Sequence, residues 1–158
     1  MSNAAAAMLG SRRAARSRSV WRPWLAGWLG ATTIGVANGI ARRALYEERL
    51  GTAGTHYLST ATLLVLLGGY TWLLARRWPI PNRRDALLIG GMWTALTVMF
   101  EFGLGRYLAG DSWAKLLEQY DLTRGNVWIL VPIWMAIGPA VMRRLRTSRI
   151  GTHQEAAA

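Results

Sequence analysis

Cysteine is absent from all 158 residues. That removes disulfides, thiolate nucleophiles and cysteine metal sites together. Histidine is nearly as scarce, and His56 and His153 are too few to build a zinc or haem cage. Acidic side chains number 8 against 19 Lys and Arg. The chain also lacks a His-Glu-x-x-His helix, a Walker A loop, a Gly-x-Gly-x-x-Gly turn and a Gly-x-Ser-x-Gly elbow. Gly103-Leu104-Gly105 has no strand before it to make a nucleotide loop. The expectation is a protein with no cofactor, no metal site and no catalytic residues.

What is present is apolar and clustered. Hydrophobic residues form 52% of the chain, in blocks at roughly 24–41, 54–75, 86–105 and 127–142. Each block approaches the ~20 residues a helix needs to cross ~30 Å of hydrocarbon. Uninterrupted runs of this length lack the polar face of a soluble helix, and only helices satisfy their own backbone in lipid over such a run. The reading is an all-α, polytopic membrane protein with four transmembrane helices and a short amphipathic helix in the second outer loop. A disordered basic leader covers 1–20, the four-helix domain 21–146, and a flexible tail 147–158.

The net charge of +11 would suggest nucleic acid in a soluble chain. Its distribution points to topology instead. The leader holds Arg12, Arg13, Arg16, Arg18 and Arg22; the middle loop holds Arg76, Arg77, Arg83 and Arg84; the tail holds Arg143, Arg144, Arg146 and Arg149. Only Asp85 and Glu155 oppose them in those segments. The other two loops balance their charges, with Glu47, Glu48, Asp111, Glu118 and Asp121 among them. The positive-inside rule then places both termini and the middle loop in the cytoplasm, with the basic excess also meeting anionic lipid. Nucleic acid is not an expected partner. Ser11-Arg12-Arg13 lacks the Phe-Leu-Lys continuation of a twin-arginine signal, and cleavage after the first block would break the four-span balance.

Within the blocks, small and polar residues are placed by period. Helix one starts near Trp21-Arg22-Pro23-Trp24, where Trp and Arg suit the headgroup level. Gly27, Ala31, Gly35 and Gly39 then recur every four residues and form a helix-packing ribbon. Asn82 is set to cap helix three, with Asp85 at the N3 position. On that helix Gly90, Thr94, Thr97, Glu101 and Gly105 share one face, while Met92, Leu96 and Met99 lie opposite. Trp113, Leu116, Leu117 and Tyr120 have the spacing of a surface helix, capped by Asp111 or Ser112. Pro132 and Pro139 are expected to bend helix four.

Glu101 is the costly residue of this pattern. A carboxylate inside hydrocarbon costs ~2.5–3.5 kcal/mol even on the lenient insertion scale, so it requires a partner or a function. At ~1.5 Å per residue Glu101 lies ~24 Å above Asp85, and Arg42 ~27 Å above Trp24. That common depth predicts a pair between Glu101 and Arg42, or failing it Arg43. Arg106 points ~140° away at ~100° per residue and reads as an interfacial anchor. The candidate polar cluster at the outer face is Arg42, Arg43, His56, Ser59, Glu101 and Asp111, with Asp121 and Arg124 nearby. His56, Ser59 and an acid could suggest nucleophilic catalysis, but Ser59 has no elbow around it. The lower half of every span lacks a second acid, which disfavours a proton path. The interfacial tryptophans Trp21, Trp24, Trp72, Trp78, Trp113 and Trp128 read as an aromatic belt.

Asn38-Gly39 with Arg42, Leu50-Gly51, Phe100-Glu101 with Gly105-Arg106, Ser112-Trp113 with Leu116, and Tyr120-Asp121 with Gly125 form a set of short motifs. From Asn38 onward, over roughly two-thirds of its length, the chain resembles an uncharacterised family of small four-helix bacterial inner-membrane proteins. The resemblance implies a membrane location and no particular activity. The functional expectation is a multi-pass inner-membrane protein without its own catalysis, serving as an accessory or scaffold subunit beside other membrane-protein subunits. The alternatives are a small transporter or channel component, or an intramembrane enzyme acting on lipid or an envelope substrate at the outer face.

Overall fold

A computed structural model gives the structure. It describes the backbone of residues 3–45 and 47–155, and the side chains of 20–45, 54–123 and 125–146. The described residues are helical and turn structure, without strands. Helix α1 spans Asn3–Leu45, α2 Glu47–Arg77 and α3 Arg83–Gly103. A π turn, Leu104–Leu108, extends α3, and a short helix, α4, covers Trp113–Glu118. Two 3-10 turns, Leu122–Arg124 and Val127–Ile129, lead into α5 at Leu130–Glu155. The expected leader and tail lie outside the residues whose side chains are described. Their backbone continues α1 back to Asn3 and α5 on to Glu155. His153 and Glu155 share that limit.

Among the described residues three helices are long and apolar enough to cross a membrane: Gly54–Arg77, Arg83–Leu108 and Val127–Arg146. They make this a multi-pass membrane protein by length and composition. The first block is not among them. Its apolar residues are diluted by Trp24, Trp28, Thr32, Thr33, Asn38 and repeated glycines, which lowers its hydropathy.

Helix α3 packs chiefly on α5, and α1 on α2; α2 and α5 join the two pairs. The α3 stripe faces the bundle as its period predicts. Gly90 is buried, and a Cβ there would run into the Ala136 carbonyl of α5. A glycine is therefore what lets those two backbones approach. Thr97 is buried as well, and Thr94 donates to the Pro132 carbonyl across 3.2 Å. On the opposite stripe Met99 is 71% exposed. Asn82 caps α3: its side chain accepts from the Asp85 N–H at 2.8 Å and donates to the Asp85 carboxylate at 2.8 Å. Pro132 lies in the first turn of α5, where its missing N–H is tolerated; only Pro139 sits in the helix interior. Pro23, expected in a first turn, is interior because α1 runs back beyond it.

The tryptophans divide into two groups, which corrects the single belt read from the sequence. Trp24 and Trp93 are fully buried, with ring centroids 5.5 Å apart. Trp93 donates its indole N–H to the Trp24 carbonyl at 2.8 Å, and Trp24 donates to the Trp78 carbonyl at 3.0 Å. Trp28 reaches the Thr97 hydroxyl at 3.1 Å. Indoles are apolar bodies with one donor, so they fill helix interfaces provided that donor is met. Tyr70 adds a fourth tie, donating to the Gly27 carbonyl at 3.0 Å. The exposed Trp72, Trp78 and Trp113 behave as belt residues, each under an arginine: Arg76 at 4.6 Å, Arg77 at 5.1 Å and Arg106 at 6.0 Å. These are cation–π distances.

Candidate intramembrane carboxylate site

Glu101 rides on the last turns of α3, one and two turns above Thr97 and Thr94 on the same face. The π turn beyond it changes the direction of the chain: the Asp111 N–H returns to the Gly105 carbonyl at 2.9 Å. Ser112 then caps α4 through the Lys115 N–H at 3.3 Å. Helix α4 lays Leu116 against Gly105 and leaves Trp113 and Leu117 exposed. The Phe102 ring, 6.1 Å from Trp113 and 5.8 Å from Tyr120, holds this loop over the end of α3. Asp121 fixes the next turn by accepting from the Thr123 N–H at 2.9 Å and hydroxyl at 2.6 Å.

That folding brings two donors onto Glu101. Tyr120 donates its hydroxyl to Oε2, and Trp128 donates its indole N–H to the same oxygen at 2.9 Å. The sequence-predicted partner is wrong. Arg42 instead places Nη1 3.4 Å from His56 Nδ1. A guanidinium only donates, so Nδ1 is the accepting nitrogen. His56 Nε2 is buried without a partner among the described residues. Asn38 links α1 to α2 beside them, donating to the Ser59 carbonyl at 3.1 Å and hydroxyl at 2.8 Å.

The predicted outer cluster is thus three separate groups. Asn38, Arg42, His56 and Ser59 join α1 to α2. Glu101 is tied to the loop and the start of α5. Asp111 pairs with Lys115 at 2.6 Å, while its carbonyl takes Arg106 at 3.3 Å. Arg43 is exposed. The Arg124 side chain lies outside the described residues. Ser59, His56 and Glu101 do not form a nucleophile–base–acid chain among the described hydrogen bonds. Nor do three metal-ligating side chains gather among the described residues. Burial, followed by the bond to Glu101 and its charge, pushes the Tyr120 hydroxyl well above the ordinary tyrosine range. The phenol is therefore a proton donor to Glu101 at neutral pH.

Sequence reasoning missed Tyr120 and Trp128 as site residues. It also treated the small-residue ribbon of α1 as uniform. At Gly27 a Cβ would meet Leu74 and Trp93, and Ala31 is 1% exposed. Gly35 and Gly39 have nothing among the described residues within 4 Å of that position. The ribbon is used at its lower half and bare above. There a crevice of about 190 Å³ separates α1 from α3 and α5. Gly35, Leu67, Phe100, Trp128 and Met135 line it, and Glu101 is its charged wall.

A second groove, about 680 Å³, lies between α2 and α5 at the arginine-rich end. Its floor is Gly68 and Gly69, and its rim Trp72, Arg76 and Arg146. Arg146 caps α2 there, donating to the Ala75 carbonyl at 2.7 Å and the Arg76 carbonyl at 3.1 Å. Comparison with protein-family models, curated proteins and solved structures returned no match.

Proposed function

We propose that the chain is a four-span bacterial inner-membrane protein with both termini cytoplasmic. It acts without catalysis of its own, as an accessory or scaffold subunit of a larger membrane complex. The observation that carries this reading is the bare upper half of the α1 ribbon. A helix face of small residues allows another helix to approach closely, and van der Waals contact of that kind drives association in lipid. Gly35 and Gly39 offer such a face, with open space among the described residues where a Cβ would stand. Around them α1 exposes Leu29, Val36 and Ile40, which suit a membrane environment.

The same features favour α1 as the fourth span. It is tied to α3 through Trp93 and to α2 through Tyr70 and Asn38, so it lies alongside two apolar helices. Orientation follows the arginines: Arg76, Arg77, Arg83, Arg84 and the Arg143–Arg146 cluster share one end and read as cytoplasmic. The Arg76–Arg146 groove supports anionic-lipid contact at that face.

Native purification in a mild detergent tests the subunit reading. A stoichiometric partner should accompany the chain and be lost in the double variant Gly35→Leu, Gly39→Leu, whose melting temperature stays at the wild-type value. A lone monomer in every mild detergent, or a partner indifferent to both substitutions, would overturn it.

A further inference from the structure

Both hydrogen bonds to Glu101 land on Oε2. Among the described residues Oε1 receives none, and the described ion pairs leave Glu101 without a cation. The carboxylate forms one wall of the 190 Å³ crevice. Apart from Thr32 and Thr97 the other walls are apolar or aromatic, and the crevice reaches Gly35 on the bare ribbon. A partner helix on Gly35 and Gly39 would therefore have the crevice beside it.

We propose that the crevice receives one long basic side chain, a lysine or arginine, from a transmembrane helix of the partner subunit seated on Gly35 and Gly39. This rests on the subunit reading above and names the chemistry of the partner. Charge complementarity is the first argument, because a negative group in hydrocarbon is stabilised most by an opposite charge. Shape is the second. A basic side chain has an apolar stem, which would lie along Leu67, Met135 and Val131, and a charged head, which would reach Oε1. The Phe100 and Trp128 rings line the crevice and would add cation–π attraction wherever the head meets a ring face. Oε2 stays with Tyr120 and Trp128, so the pair forms without breaking the ties of the bundle. The assignment also explains why an apolar membrane helix carries a carboxylate that no cation among the described residues meets.

The test uses the full chain in lipid vesicles with two synthetic transmembrane peptides of roughly 20 leucines and alanines. One peptide carries a lysine at the depth of Glu101, and its twin carries leucine there. Association is read by resonance energy transfer between labelled protein and labelled peptide. The lysine peptide should associate about 10-fold more strongly than its twin. Glu101→Gln keeps an oxygen for Tyr120 and Trp128 but turns a donor into the crevice, and it should abolish that preference. Gly35→Leu fills the mouth without touching Glu101 and should weaken both peptides. Equal association of the two peptides with the wild-type protein would overturn the inference, and so would a lysine preference that survives Glu101→Gln. Failure of the subunit reading shows separately, as the absence of any natural partner in the purification.

Discussion

Trp128 and Tyr120 both donate to Oε2 of Glu101, so the end of α3, the loop after it and the 3-10 turn leading into α5 meet on one oxygen atom. Removing that acceptor leaves two donors without a partner. Glu101→Leu should then destabilise the fold by about 1–3 kcal/mol per orphaned donor. Glu101→Gln, which retains an oxygen, should cost clearly less. Arg42→Ala should leave the effect of either substitution unchanged, because Arg42 contacts His56 and not Glu101. Thermal unfolding of the single and double variants in lipid nanodiscs measures all three. A coupling between positions 42 and 101 would contradict the geometry.

The buried indoles give a paired prediction. Trp93→Phe removes the bond to the Trp24 carbonyl at 2.8 Å, which keeps only its acceptance within α1. It should cost about 0.5–1.5 kcal/mol. The Trp134 indole N–H is buried with no partner among the described residues. Trp134→Phe removes an unsatisfied donor and should be neutral or stabilising, since an unmet polar group is itself a cost. Melting temperatures of the two variants should shift in clearly different ways, and similar losses in both would refute the assignment of donors.

Gly90 tests how closely α3 and α5 approach. Gly90→Ala would place a methyl group on the Ala136 carbonyl. Backbone cannot move aside as a side chain does, so overpacking here should cost about 1–3 kcal/mol. Gly39→Ala, with open space around it, should match the wild type or gain slightly from its higher helix propensity. A Gly90→Ala variant with wild-type stability would mean that the helices sit further apart.

The α3 stripe was legible in the sequence because a single 3.6-residue period decides which face of a helix meets the bundle. Gly90, Thr94, Thr97, Glu101 and Gly105 obey it. The Asn82 cap was legible because a cap is local chemistry. The partner of Glu101 was not. Counting residues along α1 and α3 from Trp24 and Asp85 puts Arg42 level with Glu101, but Trp24 packs on Trp93 and Trp28 on Thr97, so Glu101 is level with Thr32 and Arg42 lies ~15 Å further along α1. Tyr120 and Trp128 arrive by way of a π turn, a short helix and two 3-10 turns, and no periodic pattern connects them to α3. Trp24 and Trp93 were unreadable for a different reason. An amphipathic ring suits a headgroup belt as well as a packed interface, and only the small residue opposite it, Gly27 for Trp93, distinguishes the two.

The raised Tyr120 hydroxyl gives a pH prediction. Ordinary tyrosines ionise near pH ~10, and burial followed by the Glu101 bond and charge holds Tyr120 above that. A group raised on folding contributes stability that is complete below its unfolded value and is lost as pH climbs through the folded value. The Tyr120 contribution should therefore be intact at neutral pH and fade only in strong alkali. Ultraviolet titration of the wild type minus Tyr120→Phe should show one phenol ionising later than the rest. In Glu101→Gln that phenol should ionise earlier than in wild type but still late, because burial, the largest cause, remains. An ordinary tyrosine titration in the wild type would contradict the buried contact.

The absence of cysteine makes the topology directly testable, since one introduced thiol is the only label site. Pro79→Cys lies between α2 and α3, Gly110→Cys between α3 and α4, and Arg43→Cys near the end of α1. All three positions are exposed. With four spans and cytoplasmic termini, positions 43 and 110 should react with a membrane-impermeant maleimide in intact cells. Position 79 should react only after permeabilisation. The arginines of the middle loop predict the result at 79. A further single-thiol variant, Arg22→Cys, at an exposed position before the apolar part of α1, decides whether α1, diluted by its glycines and Asn38, crosses the membrane: with four spans it should stay protected in intact cells. If 22 and 43 both reacted in intact cells while 79 stayed protected, α1 would lie wholly on the outer side. The three apolar helices would then be the only spans, and the bare face at Gly35 and Gly39 would no longer be a surface for another transmembrane helix.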